Sequence, residues 1–308
     1  MKIQENIRLA PYTTFKIGGP AKWFACVSNT KEIQEILFWS REKNIPIFFL
    51  GGGSNVLISD KGFDGLVIHL ENIDPIINNF EIKAFSGTSL KDVAIMAQKN
   101  SLAGMENLYG IPGSVGGAVR GNAGAFGVEM KNVVSQVEFI DKRNLEIQKI
   151  SSKECHFSYR TSVFKERGDK IITHATFLLK QGDTDELEKV MKDVEEKRNS
   201  RQDQSAMCAG SFFVNPIVEN KELRLEFEKE VASPCRENKV PAGWLIDKVG
   251  LRGKRIGDAM VSETHPNYIL NVGRATSDEI IMLMSYIKQQ VRDNFGVELV
   301  QEVEFVGF

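Results

Sequence analysis

The stretch LGGGSNVLISDKGFDGL, residues 50–66, sets three successive glycines (Gly51, Gly52 and Gly53) between two apolar runs. Glycine tolerates positive φ and lets backbone N–H groups converge on an anion, while Ser54 and Asn55 add side-chain donors. This is the outline of a pyrophosphate cradle. The doubly wound fingerprint G-x-G-x-x-G is incomplete, because Val56 takes its sixth position and the chain runs on into a strand, not a helix. No G-x-x-x-x-G-K-[ST] loop occurs. A tight hairpin that needs glycine for geometry alone is the competing explanation.

A second loop shifts the balance. GIPGSVGGAVRGNAGAFG, residues 110–127, carries glycine at 110, 113, 116, 117, 121, 124 and 127, more than a turn between elements requires. Backbone approaches something closely there, and Pro112 is expected to open a short helix with its N–H groups toward phosphate. The alternative is backbone packed on backbone. Two such loops outside the doubly wound pattern point to FAD.

Around the loops the elements alternate. WFACV (23–27), IPIFFL (45–50) and GLVIHL (65–70) read as strands about a helix from Thr30 to Lys43. FEIKAFSG opens a second set, with a helix from Ser89 to Asn100, strands VSQVEFID and LEIQKIS joined by a DKRN turn, and the strand IITHATFLLK (171–180). A charged helix at 185–201 has Glu and Lys pairs suited to a solvated face. WLIDKVG, NYILN, a long helix from about Ser277 to Asn294 and the closing strand LVQEVEFVGF follow.

The 308 residues exceed one ordinary core, so two or three domains are expected. A net charge of −2 argues against a polyanionic partner. No apolar run reaches membrane-spanning length and the start lacks a secretory pattern, so a cytoplasmic protein without a membrane partner is expected. Cys26, Cys155, Cys208 and Cys235 show no C-x-x-C and are expected reduced and mostly buried. The four histidines (His69, His156, His174 and His265) lack zinc-ligand spacing, so no metal is expected.

Seven motifs in order, TTFKIGGPA, FLGGGSNVLISDKGFDGLVI, GIPGSVGGAVRGNAGAFG, FSYRTSVFK, AGSFFVNP, PAGWLIDKVGLRGKRIGDAMVSETHPNYILN and GVELVQEVEF, span nearly the whole chain. Together they resemble the UDP-N-acetylenolpyruvoylglucosamine reductase family of peptidoglycan precursor synthesis. The absence of a long insertion after FSYRTSVFK resembles its shorter, second class. The resemblance implies an α+β chain: a two-part FAD-binding region of the vanillyl-alcohol-oxidase/PCMH type, then an α+β substrate-binding domain. It implies subdomain 1 at 1–72, subdomain 2 at 73–200 joined by a C-terminal strand at 296–308, and the substrate domain at 201–295. Non-covalent FAD, NADPH as co-substrate, a UDP-sugar enolpyruvyl ether as substrate and a monomer are implied as well.

The same resemblance assigns residues. Gly51, Gly52, Gly53, Ser54, Asn55, Gly113, Ser114, Gly117, Asn122 and Gly124 are the expected FAD contacts. Arg160, in SYRTS, matches the cation beside the substrate carboxylate, a role suited to a planar bidentate guanidinium; by sequence alone an ion pair with a structural acid is the alternative. Ser211 matches the proton donor, with Gly210 allowing close approach; unaided, it reads as a serine bonded to its own backbone at a strand start. Glu302 matches a carboxylate that polarises the substrate carboxylate, by a hydrogen bond in its protonated form or through water. Period-two alternation puts Glu302 and Glu304 on one strand face, which solvent exposure also explains. Val300 and Gln301 depart from the family's preceding Glu and Pro. Tyr159, Arg201, Asn215 and Lys254 are the expected substrate contacts. Thr264 replaces a family lysine, for which Arg252, Lys254 or Arg255 is expected to compensate. Another FAD-dependent oxidase or dehydrogenase of the same superfamily, and a non-catalytic sugar-nucleotide binder, are the competing functions.

Overall fold

A computed structural model of the chain describes residues 2–199 and 206–308. They form two compact units: residues 2–7, 21–53 and 64–199 in one, and 8–20, 54–63 and 206–308 in the other.

Among the described residues the first unit holds two larger sheets and two short two-stranded ones. A four-stranded sheet runs in the order Gln4–Arg8, Pro20–Val27, Phe63–Leu70, Ile47–Leu50, the last two paired in parallel. The helix Thr30–Glu42 starts where the Asn29 side chain accepts the Glu32 N–H, and the Glu32 carboxylate accepts the Ser28 N–H at 2.7 Å. Its Ile33, Ile36, Leu37 and Ser40 are buried at the i, i+3, i+4, i+7 spacing of one apolar stripe. The second sheet is antiparallel throughout, in the order Ile147–Ser151, Val134–Asp141, Lys170–Leu178, Glu81–Phe85, Ile76–Asn78. The helix Leu90–Lys99, capped by Ser89, buries Leu90, Val93, Ala94 and Ala97 at the same spacing.

Phe85, Ile140 and Ile171 of the second sheet share one core with Ala25, Val27 and Ile68 of the first and with Ile33 of the helix Thr30–Glu42. The expected boundary at residue 72 therefore runs through a shared core. The expected strand and helix positions in this unit hold to within three residues, apart from a strand break at Leu179.

The second unit is built on an antiparallel sheet in the order Met207–Ser211, Tyr268–Asn271, Ala259–Val261, Arg255–Ile256. The helix Ser277–Phe295 opens with a reciprocal Thr276–Glu279 capping box and stops at Gly296 in the left-handed conformation. Its Ile280, Leu283, Ile287 and Val291 join a core that also takes Phe15, Ile17 and Leu57 from the N-terminal third of the chain.

The closing strand, expected to complete residues 73–200, pairs elsewhere. Glu304–Val306 lies parallel to Val56–Ile58 within this second unit. The strand is also shorter than its apolar pattern predicts. Gln301 makes an isolated antiparallel bridge to Phe213 before the chain bends, so Glu302 and Glu304 do not share one continuous strand face.

All four cysteines are free thiols, but only Cys155 is buried. Burial pushes the Cys155 thiol up to about 12. Cys208 and Cys235 are half-buried and Cys26 is exposed, because alternation along Pro20–Val27 turns Cys26 to the open face.

Two histidines of the first unit are held neutral by burial. His69 packs on Phe24 and shares a 3.2 Å hydrogen bond with the Leu50 carbonyl. His174 meets Phe85 edge-on and lies 3.1 Å from Glu138, with Lys83 and Lys149 on the same carboxylate. Desolvation is the main cause of the lowered pKa at each, and Lys83 adds to it at His174. The unfolded chain then takes up these protons first, so stability rises with pH through this range and is lost as pH falls below about 6.5. A thermal midpoint lower at pH 5.5 than at pH 7.5 is expected. His69→Gln with His174→Gln should flatten that difference in a calorimetric pH series.

Candidate functional site

The two glycine loops meet. A Cβ on Gly52 would lie 2.8 Å from Gly113 Cα, and one on Gly51 would lie 2.2 Å from Ser114 Oγ. The loops approach as closely as glycine at position 52 permits. They border a cavity of about 240 Å³ with His69, Leu70, Asn72, Gly87 and Ser89. Ser114 caps the helix Val115–Arg120, and its Oγ accepts the Gly117 N–H at 3.4 Å. The helix therefore opens three residues later than the expected start at Pro112.

Of the expected FAD contacts, the cavity brings together Gly51, Gly52, Gly113 and Ser114. Gly53 is not among its lining residues, and the chain passes into the second unit at Ser54 and Asn55. Gly117 lies inside the short helix, and Gly124 pairs with Glu129 in a two-stranded hairpin. Asn122 is fully buried and faces protein: Nδ2 donates to the Ser158 carbonyl at 2.9 Å and to Glu129 at 3.2 Å, and Oδ1 accepts the Lys131 N–H at 3.1 Å. Its side-chain amide is bonded within the protein, and Asn122 is not among the cavity's lining residues.

Sequence reasoning missed His69, Asn72, Gly87 and Ser89. The Asn72 side chain accepts the Ser89 N–H at 2.8 Å and donates to Asp92 at 2.7 Å, which ties the end of one sheet to the start of the helix Leu90–Lys99. A strand–glycine–helix order was visible in FEIKAFSGTSL and is the signal that would have found Gly87.

Arg160 sits in the turn Ser158–Thr161, closed by backbone hydrogen bonds between those two residues. Its Cζ lies 5.0 Å from the centre of the Tyr159 ring, which holds the guanidinium plane by a cation–π contact. Both belong to the first unit.

In the second unit, Ser211 ends the strand Met207–Ser211 opposite Tyr268, after a register shift that follows Cys208. Gly210 adopts φ +72, and a Cβ there would meet nothing within 4 Å. That left-handed φ suits glycine at the register shift between Cys208 and Ser211. The next residue, Phe212, accepts the Glu302 N–H at 2.8 Å, and Asn55 Nδ2 donates to the Glu302 carbonyl at 3.1 Å. The Ser211 and Glu302 backbones are thus fixed side by side. Buried Asn267 locks the neighbouring turn by pairing both its amide groups with the Phe213 backbone, at 3.0 and 2.8 Å.

Asn215 accepts the Ala242 N–H at 3.0 Å, at the start of the helix Ala242–Lys248. Lys254 is exposed, with Nζ 5.0 Å from the Tyr286 ring centre. Arg252 is paired in two places with Asp247, whose carboxyl it holds below the usual range, and Arg255 contacts Met260. Arg201 lies outside the described residues.

The cavity suits a dinucleotide pyrophosphate: two glycine-lined walls, the Ser114 and Ser89 helix starts, and no acidic side chain among its lining residues. Residues 21–151 match a model described as "FAD binding domain". Residues 201–306 match one described as "UDP-N-acetylenolpyruvoylglucosamine reductase, C-terminal domain". A UDP-N-acetylenolpyruvoylglucosamine reductase of Caldanaerobacter subterraneus is 37% identical over 99% of this chain and 94% of its own length. One from Solibacter usitatus is 36% identical over 100% and 97%. The crystal structure of the Thermus caldophilus enzyme aligns with a TM-score of 0.78 at 29% identity, covering 99% of both chains. A glycine cradle within an FAD-binding match, a reductase-type C-terminal region and end-to-end identity above one third converge: the chain belongs to the UDP-N-acetylenolpyruvoylglucosamine reductase family.

Proposed function

We propose that this chain reduces UDP-N-acetylglucosamine enolpyruvate to UDP-N-acetylmuramate with NADPH, that Ser211 donates the proton, and that Arg160 and Glu302 manage the substrate carboxylate. The overall reaction rests on family membership. The residue roles rest on the family resemblance, and one observation supports them: the Glu302 N–H bonds to the carbonyl of Phe212, the residue after Ser211, so the two backbones run side by side.

Bound FAD supplies the hydride carrier between NADPH and the enolpyruvyl double bond. Gly51, Gly52, Gly113 and Ser114, which line the cavity, would hold its pyrophosphate. Saturating a carbon–carbon double bond takes one hydride and one proton. Addition at the methylene carbon leaves charge spread onto the carboxylate, where a fixed cation lowers the barrier. Arg160 is that cation, with its plane set by Tyr159. The Ser211 hydroxyl gives its proton to the adjacent carbon, a transfer that runs downhill because the product C–H is a far weaker acid than an alcohol.

Glu302 polarises the carboxylate. Asn215 and Lys254 contact the sugar nucleotide. A cytoplasmic monomer completes the reading; among the described residues no helix is long and apolar enough to cross a membrane.

The purified protein should show a flavin absorption spectrum and oxidise one NADPH per UDP-N-acetylmuramate formed, only when the enolpyruvyl substrate is present. A colourless protein, or NADPH oxidation indifferent to that substrate, would refute the proposal.

A further inference from the structure

The second half of the glycine-rich loop serves the turn that carries Arg160. Arg160 adopts φ +58, a left-handed conformation that a residue with a Cβ keeps only when its surroundings enforce it. Three hydrogen bonds do so. Asn122 Nδ2 donates to the Ser158 carbonyl at 2.9 Å, Lys165 Nζ donates to the Arg160 carbonyl at 2.9 Å, and Ser162 Oγ donates to the Arg120 carbonyl at 2.7 Å.

Asn122 and Ser162 are both fully buried. The remaining amide groups of Asn122 are bonded to Glu129 and Lys131, so its plane cannot swing away from Ser158. Lys165 is the one charged residue of FSYRTSVFK besides Arg160, and none of the reaction chemistry uses it.

We infer that Asn122 and Lys165 are positioning residues for Arg160, holding the Ser158–Thr161 turn so that the guanidinium is presented in a single orientation. The inference rests on the role of Arg160 proposed above. Bidentate recognition of a carboxylate tolerates little angular error, and a misplacement of about 1 Å lowers rates by about 10²-fold. The Thr161 N–H donates to the same Ser158 carbonyl that Asn122 holds, so its exchange with solvent reports on the turn directly.

The test uses the FAD-loaded enzyme. Asn122→Gly keeps the left-handed backbone of residue 122 (φ +44) and removes only the amide. Lys165→Met is the second variant and tests the turn from the other side if the first does not fold. Each should bind FAD at full stoichiometry and be reduced by NADPH within about two-fold of the wild-type rate, as neither residue lines the cavity between the glycine loops. Hydrogen exchange at Thr161 should be faster by about ten-fold or more. Oxidation of the reduced enzyme by the enolpyruvyl substrate should slow by about 10–100-fold. In an Arg160→Ala background, Asn122→Gly should add less than about two-fold.

Unchanged exchange at Thr161, loss of FAD, or an undiminished effect in the Arg160→Ala background would overturn the inference. If Arg160→Ala alone oxidised at the wild-type rate, the role of Arg160 would fail, while Thr161 exchange would still decide whether Asn122 and Lys165 hold the turn.

Discussion

Ser211→Ala is expected to leave reduction of the bound flavin by NADPH unchanged and to lower turnover of the enolpyruvyl substrate by about 10²–10⁴-fold. The substitution removes one oxygen from a half-buried strand end. Backbone pairing with Tyr268 and the Gly210 bulge remain, so the fold has no reason to change. Stopped-flow absorbance separates the half-reactions, because the first needs no proton delivered to carbon. A Ser211→Ala enzyme slowed equally in both would show that the hydroxyl shapes the structure. Ser211→Cys offers a graded comparison, with a more acidic donor on a longer bond.

Gly52→Ala carries the second large effect, which falls on cofactor binding. Its Cβ would stand 2.8 Å from Gly113 Cα and 3.3 Å from Gly113 C, and neither backbone atom can swing aside as a side chain can. Gly113 itself adopts φ +107, so the opposing loop has little conformational latitude. The loops must separate, and the cavity that they border with Ser114 and Ser89 opens. Purification should yield a folded protein with FAD affinity lower by at least about ten-fold, read from flavin fluorescence on titration. Wild-type affinity in Gly52→Ala would remove the loop contact from any account of the cofactor site. Asn122→Gly serves as the control, since it alters the same loop away from the cavity.

The strands and helices of the first unit were legible because each buries one face, and a period of two or of 3.6 leaves a mark on apolar spacing. Thr30–Glu42 shows this well, and Ile147–Ser151 alternates between exposed and half-buried residues. The glycine loops were legible as a cradle because glycine is selected there for what its missing side chain permits. Asn122 stands among those glycines, but its amide is bonded to Ser158, Glu129 and Lys131, all three beyond the loop in sequence and none deducible from spacing.

The division into units was equally hidden. It depends on Phe15, Ile17 and Leu57 packing with residues that follow more than 140 positions later, and local pattern carries no record of such partners. His69 and Asn72 entered the cavity by the same route, through strand ends that only the assembled sheet brings together.

The shared core of the second unit also constrains biosynthesis. Phe15, Ile17 and Leu57 leave the ribosome early, but the helix Ser277–Phe295 that covers them is translated almost last. Throughout most of elongation these side chains have no native partners, and a nascent chain halted before Ser277 exposes them to other nascent chains and to chaperones. Cutting the gene at residue 200 would therefore strip Phe15, Ile17 and Leu57 from the second core and leave them uncovered on the first fragment.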